Sequence, residues 1–203
     1  MRDRTGPRIL GLAGSPRPGG NTRLLLEWFL EGAAATGARS ETVVLNDLSF
    51  RPCQACGGCD LTGLCVLRDD MLGVYDAVKR ADGLVVSSPI HFGSLSAQTK
   101  AAIDRFQCFW AARYLLGRPS LRPEEGRKGF LLAVGGMEKG DRFIRNAEEV
   151  VKVFFTVLGV EHAGTLFFPG LDHPGEAARR PGVREAAVEA GRSFTRSLAE
   201  PRP

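Results

Sequence analysis

Five short apolar runs, separated by segments of helical periodicity, limit this chain more than any other feature. Arg8–Ala13 (RILGLA) runs straight into glycine and serine, as a buried parallel strand does at its carboxyl end. Asn21–Ala35 then places leucines, Trp28 and Phe29 at helical spacing, and Thr42–Leu45 reads as a second strand. Asp69–Arg80 reads as a helix, with Asp69 or Asp70 placed to cap its start. Gly83–Ser87 is a third strand ending at Ser88-Pro89, and Ser96–Ala112 a long helix. Leu116–Gly126, mixed in Pro, Gly and charge, reads as a surface loop. Lys128–Val134 is a fourth strand closed by Gly135-Gly136, Asp141–Leu158 a helix, and Val160–Phe168 a fifth strand. Val183–Ala199 is a final helix before a Pro-rich tail.

Strands alternating with helices build a parallel α/β sheet covered by helices on both faces. Right-handed crossovers leave few topologies, and ligands bind beyond the carboxyl ends of the strands. The loops after each strand are therefore where chemistry is expected. No repeat interrupts the 203 residues, so one domain over 1–203 is expected.

Composition removes several functions. The net charge is only +4 and the Lys and Arg are scattered, without a basic stripe interleaved with aromatics, so no nucleic-acid partner is expected. Mild positive charge suits anionic cofactors better. No apolar run approaches the ~20 residues that span a bilayer, so no membrane role is expected. Met1–Pro7 is short and polar and does not read as a signal peptide, which points to the cytoplasm, where thiols stay reduced.

The first post-strand loop, Gly14-Ser15-Pro16-Arg17-Pro18-Gly19-Gly20-Asn21-Thr22, concentrates groups that a phosphate needs. Glycines let backbone N–H groups approach, Ser15, Asn21 and Thr22 add polar donors, and Arg17 adds charge. The helix that follows adds its N-terminal N–H groups and the positive end of its dipole. The loop is neither a P-loop nor the G-x-G-x-x-G fingerprint. A plain polar strand-to-helix turn remains the competing reading.

Three stretches together resemble the NADPH-dependent FMN reductase and iron–sulphur flavoprotein family. They are Gly14-Ser15-Pro16-Arg17 with Gly20-Asn21-Thr22, Cys53 to Cys65 with Asp69-Asp70-Met71, and Ser88 to Gly93 with Ser96-Ala97-Gln98 and Lys100 to Asp104-Arg105. The resemblance covers about residues 8–168, in register with the strands. It implies a flavodoxin-like, doubly wound, five-stranded sheet of order 2-1-3-4-5 that binds FMN. It places the FMN phosphate at Ser15, Arg17, Gly20, Asn21 and Thr22, and the flavin ring along Pro89, Ile90, His91, Phe92 and Gly93. Gly135 and Gly136 resemble a third flavin-contacting loop, although a simple turn explains them equally. His91 departs from the tyrosine more usual in the family; a solvent-facing loop histidine is the plainer reading, stacking or hydrogen bonding to the ring the other. Lys100 and Asp104, at i and i+4, read as a surface pair.

Cys53, Cys56, Cys59 and Cys65 follow C-x2-C-x2-C-x5-C. Thiolates two residues apart can face one centre, and three in succession resemble the start of a bacterial ferredoxin cluster run. Gly57, Gly58 and Gly63 give the loop freedom to wrap. The matching family branch implies a [4Fe–4S] cluster here that exchanges electrons with FMN. Zinc bound by four thiolates, a disulfide and free thiols compete with it, and Val66 stands where ferredoxin runs carry proline. Cys108, among Phe106, Phe109 and Trp110, reads as a buried thiol.

No Ser-His-Asp set or metal-hydrolase motif appears, and only His91, His162 and His173 are present. The expected function is an FMN-dependent oxidoreductase that takes electrons from NAD(P)H or a ferredoxin-like donor. A quinone, flavin, oxygen or the cluster would accept them. A non-enzymatic electron carrier between protein partners is the alternative. The resemblance also implies a homodimer or homotetramer.

Overall fold

A computed structural model describes residues 6–121, 123–139 and 141–199. The readings of the first five residues and of the Pro-rich tail after Ala199 lie outside the described residues. In chain order the elements are β1 (Arg8–Ala13), α1 (Asn21–Ala34), β2 (Arg39–Val44), α2 (Met71–Arg80), β3 (Gly83–His91), β4 (Ser94–Leu95), α3 (Ala97–Asp104) and α4 (Gln107–Trp110). They continue with β5 (Lys128–Gly135), α5 (Asp141–Leu158), β6 (Glu161–Pro169), α6 (Glu176–Arg179) and α7 (Val183–Ala199).

The sheet order is β2-β1-β3-β5-β6, all parallel, with the two-residue β4 folded back antiparallel on the end of β3. Leaving that hairpin strand aside, this is the expected 2-1-3-4-5 order. Alternation along each strand divides the core in two. Leu10, Leu12, Leu84, Val86 and Leu131 face α2, α4 and α5, while Ile9, Ala13, Val85, Leu132 and Val134 face α1 and α7. On the second face α1 and α7 meet at backbone distance. A Cβ on Gly32 would strike the Val188 carbonyl, and one on Gly191 the Phe29 carbonyl.

Three strand or helix ends lie two or more residues from those expected. β2 starts at Arg39, where its parallel pairing with Arg8 of β1 begins; Arg39–Glu41 are an exposed polar edge and carry no apolar pattern to mark the strand. β3 continues past Ser87 to His91 with Pro89 inside it. β1 stops pairing at Ser87 and β4 takes up pairing only from Ile90, so at Pro89 β3 has β5 as its one strand partner and proline's missing N–H is tolerated. Helix α2 starts at Met71, where Asp69 Oδ1 accepts from the Met71 N–H (3.3 Å) and Asp70 Oδ2 accepts instead from the Ser49 N–H (2.6 Å).

The long helix expected over Ser96–Ala112 is broken. Ser96 caps α3 by accepting from the Thr99 N–H (3.3 Å), but the helix stops at Asp104 and resumes as one turn of α4 and a π-helical turn over Ala111–Leu115. At the break the Arg105 carbonyl accepts from the Tyr75 hydroxyl (2.8 Å) and from the Cys108 thiol (3.5 Å). Tertiary partners thus take part in the bonding around the break, which a pattern of local apolar spacing does not register.

Candidate functional site

The loops after β1, β3 and β5 converge at the carboxyl end of the sheet, as the alternation requires. Ser15, Arg17, Gly20, Asn21 and Thr22 line one cleft with Pro89, Ile90 and His91, and with Gly135 and Gly136. Ser15 folds the first loop on itself: its hydroxyl accepts from the Arg17 N–H (3.1 Å) and donates to the Arg17 carbonyl (3.3 Å). Gly14 sits where a Cβ would strike the Thr99 hydroxyl and come within 3.1 Å of the Ser87 carbonyl. Gly20 stands at the N-cap of α1 without a side-chain bond, and the first turn contains no acidic residue. An uncapped, carboxylate-free helix start beside an arginine suits an anion.

A fourth loop, after β6, closes against the first. Arg17 donates to the Asp172 carbonyl (2.7 Å). The Asn21 amide donates to the His173 carbonyl (2.9 Å) and accepts from the Ala177 N–H (3.1 Å). Glu176 holds that loop by accepting from the N–H groups of Asp172 (2.7 Å) and His173 (2.9 Å), and those bonds, the one from His173 foremost, hold its carboxyl below the ordinary carboxylate range. Leu171, Asp172 and Pro174 therefore line the cleft, although no motif in the sequence marked them. Their only sequence signal was their position after the last strand.

The ring-side loop is a tight hairpin. His91 pairs with Ser94 across Phe92-Gly93, and both central residues have positive φ, +49° and +79°. Two such residues make the turn that matches strand twist. Glycine accepts this freely, whereas phenylalanine there is uncommon and strained. Phe92 is also fully exposed, and His91 is exposed beside it. The strained turn thus leaves an aromatic ring in solvent, and of the expected ring-side residues Pro89, Ile90 and His91 line the cleft whereas Phe92 and Gly93 do not.

The cysteine loop forms a second site on the α2/α3 side. Cys53, Cys56, Cys59 and Cys65 are free thiols lining one cavity of about 390 Å³, whose wall also includes Arg105 and Cys108. Among the described residues no group of three or more His, Cys, Asp or Glu is gathered tightly enough to hold a metal ion. Burial pushes the Cys59 thiol up to about 11, helped by the neighbouring Asp60 carboxylate. Cys108 is buried as expected, and burial raises it too. Lys100 and Asp104 form the expected exposed pair at 2.7 Å.

Arg105, which the sequence shows only as the end of a family-like stretch, takes a central place here. Its side chain is wholly buried. Its guanidinium grips both oxygens of Asp69 (2.7 and 3.0 Å), donates to the Arg51 carbonyl (2.7 Å) and reaches Cys65 Sγ (3.5 Å). Hydrogen bonds from Arg105 hold Asp69 below the ordinary carboxylate range. Burial opposes the charge on Arg105, but its paired bonds to the Asp69 carboxylate outweigh that and keep it protonated.

A parallel doubly wound sheet with a phosphate-type loop after its first strand defines the flavodoxin-like class. Within that class the chain belongs to the NADPH-dependent FMN reductase family, whose profile it matches over residues 7–165. It is 34% identical over 133 residues to an iron-sulfur flavoprotein of Methanosarcina thermophila, covering 66% of this chain and 65% of that protein. It is 32% identical over 152 residues to one from Archaeoglobus fulgidus, covering 75% and 73%. The chain spans less than two thirds of two of these relatives, 65% of the Methanosarcina protein and 51% of one from Methanocaldococcus jannaschii. The NAD(P)H:quinone oxidoreductase of Methanothermobacter marburgensis superposes with a TM-score of 0.68 at 19% identity, covering 98% of both chains. An FMN-dependent NADH-azoreductase of Bacillus anthracis superposes with a TM-score of 0.64 at 14% identity, covering 96% of this chain and all of that one. At such identities the likeness concerns the fold.

Proposed function

We propose that the protein is an FMN-dependent oxidoreductase. It would move electrons from NAD(P)H or a ferredoxin-like donor to a quinone, flavin, oxygen or similar acceptor, with a [4Fe–4S] cluster on the cysteine loop. The convergence of the loops after β1, β3 and β5 on one cleft carries the first half of this reading. When bound, FMN supplies hydride and single-electron chemistry and the cluster supplies single-electron chemistry.

The chain's own residues bind and orient. Arg17, Ser15, Thr22 and the start of α1 offer donors to a phosphate, while Asn21 fastens the phosphate loop to the loop after β6. Pro89, Ile90 and His91 with Gly135-Gly136 would frame the ring, and Phe92 and Gly93 turn the chain beside them. The set Cys53, Cys56, Cys59 and Cys65 fits a cluster by donor chemistry and by shared cavity. No acid or base need act at a substrate atom.

A second reading, an electron carrier between proteins, is favoured by Leu61, Leu64 and Val66, which stand 84%, 60% and 52% exposed around the cysteine loop. Such an apolar rim suits transient docking of a protein partner. A homodimer or homotetramer belongs to the same proposal, supported by an apolar groove of about 450 Å³ between α4 and α5 lined by Trp110, Val153 and Val157. So do a single domain and a cytoplasmic home; no helix among the described residues is long and apolar enough to cross a membrane.

The test is an absorption spectrum of protein purified without oxygen, with iron, zinc and acid-labile sulphide assayed on the same sample. Flavin bands with iron and sulphide are expected. NAD(P)H oxidation without a protein donor separates the enzyme from the carrier. A colourless protein that takes up no FMN would overturn the reading.

A further inference from the structure

We propose that Arg105 is a positioning residue for the cysteine loop. Its N–H···S bond to Cys65 would set how readily a cluster held there accepts an electron. The inference rests on the cluster reading of the loop.

A guanidinium has five N–H groups, and those of Arg105 are spoken for almost completely. One terminal nitrogen donates to the Arg51 carbonyl (2.7 Å) and Asp69 Oδ2 (2.7 Å), the other to Asp69 Oδ1 (3.0 Å) and Cys65 Sγ (3.5 Å). Only Nε, also buried, is without a partner among the described residues. A buried charge costs several kcal/mol unless paired, so a cation is kept here only by this dense set of partners. The partners lie on two separate stretches. Arg51 and Cys65 bracket the cysteine loop, and Asp69 stands just before α2. One planar fork therefore ties both ends of the loop to the break between α3 and α4. The break is itself held where the Arg105 carbonyl meets the Tyr75 hydroxyl and the Cys108 thiol. Lysine, a point donor of three bonds, cannot span the same set.

The electronic consequence follows from charge. Adding one electron to a thiolate-bound cluster raises the negative charge on its sulphurs. An N–H donor at Cys65 favours that reduced form. Asp69 balances the formal charge of the pair, yet it is the N–H that points at the sulphur. Arg105 stays protonated throughout, so it exchanges no proton itself when the electron arrives.

The test compares the wild type with R105K and R105Q, purified without oxygen. Iron, acid-labile sulphide and FMN are counted per chain, and each is titrated with dithionite while the reduced cluster is followed by electron paramagnetic resonance. R105Q is expected to lower the equilibrium constant for one-electron reduction at least about tenfold, a midpoint about 59 mV more negative. R105K, keeping charge without the fork, is expected to fall between R105Q and the wild type. The FMN midpoint should not move in either. R105Q with full iron and an unchanged cluster midpoint overturns the proposal. If R105Q retains no iron, R105K decides, a wild-type midpoint in that variant being the overturning result. A wild type without iron and sulphide overturns the cluster reading itself, which the metal assay reports separately.

Discussion

The glycine loop after β1 and the cysteine loop before α2 both resemble motifs, yet the fold holds them in opposite ways. The glycine loop is fixed through its own functional side chains. Arg17 and Asn21 reach the loop after β6, and Ser15 folds onto Arg17. The cysteine loop is fixed from beneath by Arg105 and Asp69, neither of them one of its cysteines, while its thiols make few bonds of their own. Where a loop is tied through the groups that would bind a ligand, a substitution there mixes binding with structure. Where it is tied from behind, the two separate.

Asp69→Asn breaks that contrast most forcefully. It leaves the buried Arg105 charge without its carboxylate, and breaking such a pair costs about 3–5 kcal/mol. Urea unfolding should show that loss, while FMN affinity stays near wild type because the glycine loop is untouched. The pH profile gives the sign. Asp69 is held below its ordinary value of 3.8, so its stabilisation is complete above that pH and is lost as pH falls through the lower folded value. The Asn variant should lack that acid-side loss.

Arg17→Ala with Asn21→Ala probes the other loop. Each polar contact is worth roughly 1–3 kcal/mol, so FMN affinity should fall at least about tenfold in a fluorescence titration. Arg17→Ala should lower affinity and also loosen the loop after β6, since its guanidinium holds the Asp172 carbonyl. Asn21→Ala should also lower thermal stability, because its amide bridges to His173 and Ala177. Unchanged FMN affinity in the double variant would move the phosphate site elsewhere.

Lys100→Ala is the smallest expected effect and calibrates the others. The Lys100–Asp104 pair is exposed on both sides, 47% and 44%. Its loss should change stability by no more than about 0.5 kcal/mol and leave both loops as they are.

Much of this was legible in the amino-acid order because it depends on near neighbours. Continuous apolar runs in RILGLA and GLVVS, helical spacing in Asn21–Ala35, and glycines with serine after β1 are local statements. A buried strand or an open helix start leaves that kind of mark. The alternation of those elements also carried the sheet order, since right-handed crossovers leave few others. Cys108 read correctly as buried from its aromatic neighbours, and Lys100–Asp104 as a surface pair from its spacing.

What only the tertiary structure decided depends on residues far apart in the chain. The break after Asp104 sits among bonds from Tyr75 and toward Asp69, which local periodicity cannot register. Arg105 meets Asp69 across 36 positions, and Asn21 meets Ala177 across 156. A charge reads as surface in a sequence, because burying one is unfavourable until a partner is found. The partner, and with it the role of Arg105 beneath the cysteine loop, exists only once α2 and the α3–α4 break are packed together.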